Sequence, residues 1–386
     1  MKLLVLLSRI PYPLEKGDKL RAYHQIRCLS ANHEIHLLAV HHEPIHPDAA
    51  RELKKYCQSV RFFKINLIQA GINILLKFLS RKPLQVGYFH NLSTHRKIQK
   101  AIQEIQPEHI YCQLIRVAEY VKHTPIRKTL DYQDVFSKGV ERRIEKAPWY
   151  FKPVLKLEYK RLLKYEKDIF DDFDHKTIIS EPDRELIPHP LNHEIQVIGN
   201  GVDFNFFKPV TVEKKYDIIF SGNMGYPPNV DAAVYLVKEV IPALRQLRGK
   251  VKVVIAGATP HPKVKALQSE EVTVTGWVDD IRDYYAASRV FIAPMKIGTG
   301  LQNKLLEAMA MKLPCVTSPL ANNALNARNG IEILVGENTE QYVLYLHQLL
   351  ANNELAKNIA DNGNRFVHEH YNWEAITAEL DRLFEP

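Results

Sequence analysis

Cysteine is scarce: Cys28, Cys57, Cys112 and Cys315 are the only four in 386 residues. Their wide and unpaired spacing argues against a structural zinc site and against a secreted disulfide scaffold, and predicts buried thiols in a reducing cytoplasm. Long apolar runs are missing as well. No uninterrupted stretch reaches the roughly 18 residues of a membrane-spanning helix. The opening MKLLVLLSRIPYP is interrupted at Ser8 and Arg9, short of the roughly 7–15 apolar residues of a secretory signal, so a first buried strand is expected instead. Collagen-like, prion-like and Ser/Gly-rich stretches are lacking too, which leaves little for a disordered tail or long linker. With 46% hydrophobic and 25% charged residues, nearly the whole chain is expected to fold. Domains run to about 100–200 residues, so this length predicts two.

What is present in excess is positive charge, and on one side only. Residues 1–200 hold 33 Lys and Arg against 23 Asp and Glu, whereas residues 201–386 hold 19 against 21, so a net +10 faces a net −2. A one-sided excess points to an anionic partner such as lipid headgroups, a phosphate-bearing lipid or nucleic acid. Nucleic acid is the weaker choice, since zinc-finger spacing, an RNA-recognition aromatic motif and a heptad-linked basic region are all absent.

Apolar runs of strand length recur: KLLVLLS, EIHLLAV, HIYCQLI, KTLDYQD, KTIIS and IQVIGN in the first half, then YDIIFSG, VKVVIAG, VTVTGWV, RVFIAPM and LPCVTS in the second. Helical patterns separate most of them, as in NVDAAVYLVKEVIPALRQLRG, where Ala233, Leu236, Val237, Val240, Ile241 and Leu244 recur at helical spacing. Continuously apolar strands alternating with helices are buried on both faces of a parallel sheet, and the pattern occurs twice. The fold class expected is therefore α/β, two doubly wound Rossmann-like domains facing across a cleft, joined near GNGVDFNFFKP with Gly199, Asn200 and Gly201 as the hinge. Ligands of such sheets bind beyond the carboxyl ends of the strands.

Two loops there carry chemistry. In FSGNMGYPPN, Gly222 and Gly225 allow a tight turn before a helix that opens with Pro227 and Pro228, although glycine and proline also serve plain turns. In IGTGLQNKLLEAMAM, Gly298 and Gly300 leave backbone N–H groups uncovered at a helix start, which attracts phosphate. Lys304 adds positive charge about one turn in, with Lys296 just upstream. Glu307 shares a side with Lys304 by i, i+3 geometry and suits hydroxyl groups such as those of a ribose. A capped surface helix with a solvated Lys and Glu pair is the alternative for this segment taken alone.

The stretches GTGLQNKLLEAMAMKLPCVTS, VIGNGVDFNFFKP, IAGATPHPKVKAL, VTVTGWVDDIRDYYAASRVFIAPM and HYNWEAITAELDRLF together resemble the retaining, nucleotide-sugar-dependent glycosyltransferases of the GT-B fold, also called group 1. The opening LLSRIPYPLEKGDKLRAYHQIRCLSANHEIHLLAV is similar to a subgroup found in polysaccharide clusters. The resemblance spans essentially the whole chain, most clearly over 198–320. It implies an acceptor-side domain over 1–200, a donor-binding domain over 208–367, and a terminal helix over about 368–386 packed back on the first domain.

By position, the resemblance implies that Glu307 binds the donor ribose, that the amides of Gly300 and Leu301 hold the diphosphate together with Gly222 and Asn223, and that Trp277 and Val278 border the base. Asn223 stands where many relatives have an arginine and Pro228 where they have a lysine, so Lys296 and Lys304 become the groups that neutralise the leaving diphosphate. Thr299 stands where many members carry a first glutamate at the transferred sugar. Gln133 replaces a histidine beside the reacting sugar, followed by Asp134 as a catalytic candidate or as the cap of the next helix. Preorganised amides and lysines stabilise a diphosphate leaving group without a metal. Asp279 and Asp280 read as a helix start, and no cofactor is expected beyond the nucleotide-sugar co-substrate.

Gly17, Lys19 and Arg21 follow the first strand and are expected to meet the acceptor, a glycan or a polyprenyl-phosphate-linked sugar. INLIQAGINILLKFLSRK places Asn66, Gln69, Asn73, Lys77 and Ser80 along one face and Ile68, Ile72, Leu75, Leu76 and Leu79 opposite, a pattern that fits either a membrane interface or packing on the sheet. APWYFKPVLKLEYKRLLKYEK adds lysines and aromatics. A cytoplasmic enzyme docked on the inner leaflet is the expected setting. A nucleotide-sugar epimerase of the same fold and a catalytically weak sugar-nucleotide-binding partner are the rival readings. The histidines of VHHEPIHPD, His41, His42 and His46, read as a loop after a strand.

Overall fold

The computed structural model describes residues 1–14, 16–65, 71, 82–297 and 300–385. Gly298, Thr299 and residues 66–70 and 72–81 of the segment INLIQAGINILLKFLSRK, singled out above, lie outside the described residues. The chain divides into two compact units: Met1–Gly199 with Trp373–Pro386, and Asn200–Asn372.

In the first unit, β1 (Lys2–Leu7), β2 (Glu34–His41), β3 (Ser59–Lys64), β4 (His109–Gln113), β5 (Arg127–Asp131), β6 (His175–Ile178) and β7 (Gln196–Val197) form one sheet in the order β3-β2-β1-β4-β5-β6-β7. Every pairing is parallel, with registers such as Leu3↔Ile35 and Val5↔Tyr111. β1 and β2 are buried along almost their full length, as strands covered on both faces must be. β3 was not among the expected strands. Its sequence SVRFFK is interrupted by Arg61 and Lys64, and it lies half-buried at the sheet edge, where one flank needs no apolar neighbour.

The final segment closes this unit. Helix Trp373–Asp381 packs on helix Gly17–Leu29: fully buried Trp373 stacks on His24 with ring centroids 5.1 Å apart, and Arg27 bonds Glu374 at 3.1 Å. The return begins at Trp373 and not at 368, because residues 368–370 still belong to helix Asn353–His370, which the second unit buries through Ile359, Gly363 and Val367.

The second unit repeats the plan. β8 (Tyr216–Ser221), β9 (Val253–Ala256), β10 (Val272–Val274), β11 (Ser288–Ala293), β12 (Cys315–Thr317) and β13 (Leu334–Val335) run parallel in the order β10-β9-β8-β11-β12-β13. Numbered from its own first strand this is 3-2-1-4-5-6, the Rossmann order, whose switch point lies between β8 and β11. The long pattern NVDAAVYLVKEVIPALRQLRG is helical but not uniform. Pro227–Tyr235 and Ile241–Arg248 are α-helical and Leu236–Val240 between them winds as a π turn. Pro242 supplies the reason: it has no N–H for the carbonyl four residues back, and a wider turn relieves the clash of its ring.

Among the described residues, no helix is long and apolar enough to cross a membrane. Cys57, Cys112 and Cys315 are buried, Cys28 is half-buried, and all four are free thiols.

Candidate functional site

At the carboxyl end of the second sheet, the loops that follow β8 and β9 close on each other beside the switch point. Gly222 has φ +145° and Gly257 φ +141°, and a Cβ on Gly257 would lie 1.9 Å from the carbonyl oxygen of Gly222. Only glycine permits that approach. The loops are then laced by backbone bonds, Gly222 N to Ala256 O at 3.0 Å and Met224 N to Ala258 O at 2.9 Å. Asn223 is part of this lacing. Its carboxamide oxygen accepts from Gly225 N at 2.9 Å and from the Thr259 hydroxyl at 2.8 Å, which fixes the side chain on the loop.

Lys304 and Glu307 rise from helix Asn303–Ala310, one turn apart. The Lys304 ammonium donates to Asn229 Oδ1, lies 5.0 Å from the Phe220 ring centroid, and would stand 3.2 Å from a Cβ on Gly222. A lysine on this helix thus delivers its charge to the carboxyl end of β8. Asn229 is itself held, donating to Asn223 O at 2.9 Å. Burial pulls the Lys304 ammonium down to about 7, against the opposing pull of Glu307.

Glu307 accepts from the Tyr285 hydroxyl at 2.9 Å, and that hydroxyl is 2.7 Å from Ser221 Oγ. Burial raises the carboxyl above its usual range, while the Tyr285 bond and the charge of Lys304 draw it back. Tyr285, fully buried beneath, fixes the rotamer of Glu307. No side chain caps the helix, whose N-cap position is Gln302. Gln302 Nε2 donates to Gly300 O at 2.9 Å, which holds the half-buried Gly300 and Leu301 just ahead of the helix. Its first N–H groups and the Lys304 ammonium form a positive end suited to an anion.

The other sequence candidates are distributed as follows. Lys296 is exposed and sits 3.3 Å above the Tyr235 ring centroid, in a cation–π contact. Trp277 is exposed and Val278 half-buried on the loop after β10, beside an open pocket of about 480 Å³ bounded by Pro260, Lys265, Gln268, Val274, Thr275 and Gly276. Asp280 caps helix Ile281–Ala286 through Arg282 N. Sequence reasoning missed Asn229, Tyr285 and Ser221; a polar residue directly after a Pro-Pro helix start was the one signal for Asn229.

In the first unit the carboxyl ends of β1, β4 and β5 meet at a small recess where Leu7, Ala22 and Leu114 line the wall together with Ser8, Arg9, Asp18, Lys19, Gln113 and Gln133. Ser8 Oγ and Gln133 Nε2 are buried there without a protein partner. Leu114 and Gln133 both adopt positive φ, 68° and 60°, strain of the kind that gathers at functional sites. Gly17 opens the adjoining helix, and Lys19 lies 3.4 Å from Glu43. Arg21 does not face an acceptor. Its guanidinium is fully buried, bonding Asp131 at 2.7 and 3.2 Å and Gly199 O at 2.7 Å, while Asp131 also accepts from Tyr111 and Thr177. Residues on a helix turn inward or outward by their angle around the axis, and position 21 turns inward. Asp134 is exposed and is not the cap of the next helix, whose N-cap is Val135 with no side-chain bond.

Residues 215–352 match the model of the family described as glycosyl transferases group 1. A 44.6 kDa protein in the cps region of Klebsiella pneumoniae is 23% identical over 98% of this chain and 98% of its own. Sucrose-phosphate synthase from Thermosynechococcus elongatus superposes with a TM-score of 0.72 at 15% identity, covering 100% of this chain and 98% of that one. The Anabaena protein HepE, solved in complex with UDP-glucose, superposes with a TM-score of 0.70 at 13% identity over 99% of both chains. The family match covers the β8–β13 sheet that carries the Lys304–Glu307 pair, and the fold likeness covers the whole chain: residues 215–352 form a group 1 glycosyl transferase domain, in a chain with the GT-B fold.

Proposed function

We propose that this enzyme transfers a sugar from a UDP- or GDP-linked donor to a glycan or polyprenyl-phosphate-linked acceptor, with retention, in the assembly of a cell-surface polysaccharide. The observation that carries the reading is the Lys304–Glu307 pair, one cation and one carboxylate on a single helix face at the switch point of a group 1 domain. Glu307, oriented by Tyr285, accepts the ribose hydroxyls. Lys304 and the amides of Gly300, Leu301 and the helix start take the charge that grows on the diphosphate as the sugar–phosphate bond breaks. That stabilisation needs no metal and no further cofactor. Trp277 and Val278 border the base. Departure of the diphosphate leaves an oxygen able to draw the proton from the acceptor hydroxyl on the same face, which gives retention. UDP-glucose on HepE and the cps region of the Klebsiella relative support the donor class and the polysaccharide setting.

On the acceptor side, the unpartnered Ser8 hydroxyl and Gln133 amide, with Lys19 and the exposed Asp134 close in sequence, offer polar groups to sugar hydroxyls. The one-sided basic charge of residues 1–200 supports docking on an anionic inner-leaflet surface. Thermal melting with UDP, GDP and ADP in turn tests the donor site. A nucleotide at about 100 times its dissociation constant adds roughly 2.7 kcal/mol; one base should raise the melting point, Glu307→Ala should abolish the rise, and EDTA should leave turnover unchanged. No shift with any of the three at millimolar concentration would sink the proposal.

A further inference from the structure

We infer that the helical hairpin formed by helix Phe136–Lys146, the turn APWYF and helix Lys152–Asp168 is the surface by which this chain docks on an anionic lipid bilayer. The turn presents three consecutive aromatics to solvent: Trp149 is 83% exposed, Tyr150 67% and Phe151 46%. Large exposed apolar patches mark interaction sites, whereas scattered single residues do not. These three are also pre-ordered. Phe151 N bonds Pro148 O at 2.9 Å, Leu155 N bonds Phe151 O at 3.2 Å, and the Trp149 and Tyr150 rings meet edge-on at 6.0 Å. An ordered turn loses little conformational freedom when it inserts.

Charge selects the occupant. Helix Lys152–Asp168 has 17 residues and is about 25 Å long. Lys156, Lys160, Lys164 and Lys167 all lie exposed at i, i+4, i+8 and i+11, one outward stripe leading away from the aromatic tip. Its glutamates point the other way. Glu158 is buried and accepts from Leu84 N at 2.7 Å and Gln85 N at 3.1 Å, and Glu166 is buried and accepts from Ser137 N at 3.0 Å. Among the acids of this helix only Asp168, paired with Lys164 at 3.4 Å, shares the outer surface. Buried carboxylates inside and lysines outside leave a basic face ending in Trp and Tyr, the residues whose amphipathic rings settle at headgroup level. Each basic residue near an anionic leaflet contributes about a fivefold gain in partitioning. This surface gives the lipid-linked acceptor reading a place of contact and rests on that reading for its purpose.

The experiment is co-sedimentation of the full chain with vesicles of phosphatidylglycerol and phosphatidylcholine, and with phosphatidylcholine alone. Binding to the anionic vesicles should weaken with salt and fall at least about tenfold in the combined Trp149→Ser, Tyr150→Ser, Phe151→Ser variant. Lys156→Glu with Lys160→Glu should remove the preference for phosphatidylglycerol. Melting points without ligand confirm that the variants fold, and the nucleotide-induced rise measured without lipid should be the same in all of them. No sedimentation at low salt, or variants that bind like the parent, overturns the inference. So does concentration-dependent dimerisation that the aromatic variant abolishes, which would make the turn a contact between copies of this chain. Loss of the nucleotide shift with vesicle binding intact would count against the donor site alone.

Discussion

Lys304 makes nucleotide binding depend on pH in a way that can be worked out beforehand. In the free site burial brings its ammonium down to about 7 from an ordinary 10.5. A diphosphate at roughly 4 Å, with an effective dielectric of about 20, favours the charged form by about 4 kcal/mol, close to 3 pKa units at about 1.4 kcal/mol each. The bound lysine would then hold its proton to about pH 10. Between these limits binding takes up one proton, so Kd should rise about tenfold per pH unit, or about 100-fold from pH 7.5 to 9.5. Calorimetric titration of UDP or GDP, whichever shifts the melting point, over that range in two buffers of different ionisation enthalpy measures both Kd and proton uptake. Lys304→Arg, charged throughout, should give a flat profile with affinity kept, and Lys304→Met a flat and weak one. Stability of the free protein moves oppositely. The unfolded lysine holds its proton up to about 10.4 and the folded one only to about 7, so the burial cost is full below pH 7 and is relieved as pH rises toward 10. A parent Kd that stays within about twofold between pH 7.5 and 9.5, where about 100-fold is expected, or a Lys304→Met variant that keeps the slope, refutes the placement of the ammonium against the diphosphate.

Two further outcomes follow from the hydrogen bonds. Tyr285→Phe removes the donor to Glu307 Oε2 and leaves Ser221 without its partner; losing a bond of this kind costs about 1–1.5 kcal/mol, so nucleotide Kd should rise about fivefold to tenfold in the same calorimetric assay while Tyr285→Phe stays folded by circular dichroism. Arg21→Met strands the buried Asp131 carboxylate, and should lower unfolding free energy in urea by about 3–5 kcal/mol without changing nucleotide Kd measured below the transition; an unaffected stability would return Arg21 to the acceptor-facing set.

Strand and helix alternation was written in local pattern. Runs such as YDIIFSG and VKVVIAG are apolar on both faces, and only a parallel sheet covered on both sides accepts them. The switch-point loops were legible too, because glycines before a helix and an i, i+3 Lys and Glu pair are features of neighbouring residues. β3 escaped because an edge strand needs only one apolar flank, and the π turn at Leu236–Val240 escaped because helical spacing persists through it while Pro242 shifts the backbone.

The groups that give the site its chemistry were not local. Tyr285 reaches Glu307 across 22 positions of chain, Ser221 reaches Tyr285 across 64, and Asn229 reaches Lys304 across 75; the distances of these bonds depend on which strands lie side by side. Burial, which lowers the Lys304 ammonium and raises the Glu307 carboxyl, is likewise a property of the assembled unit. Arg21 shows the same limit from the other direction. Its place after β1 in the sequence suggested a ligand contact, whereas its angle on the helix carries it to Asp131, 110 residues away. The sequence by itself determined the periodicities, the turns and the identity of the charges, since those depend on residues a few positions apart. Which charges were buried together, which partner oriented them and which were left facing outward was decided only by the tertiary structure, because hydrogen bonding and desolvation depend on distance in space and not on distance along the chain.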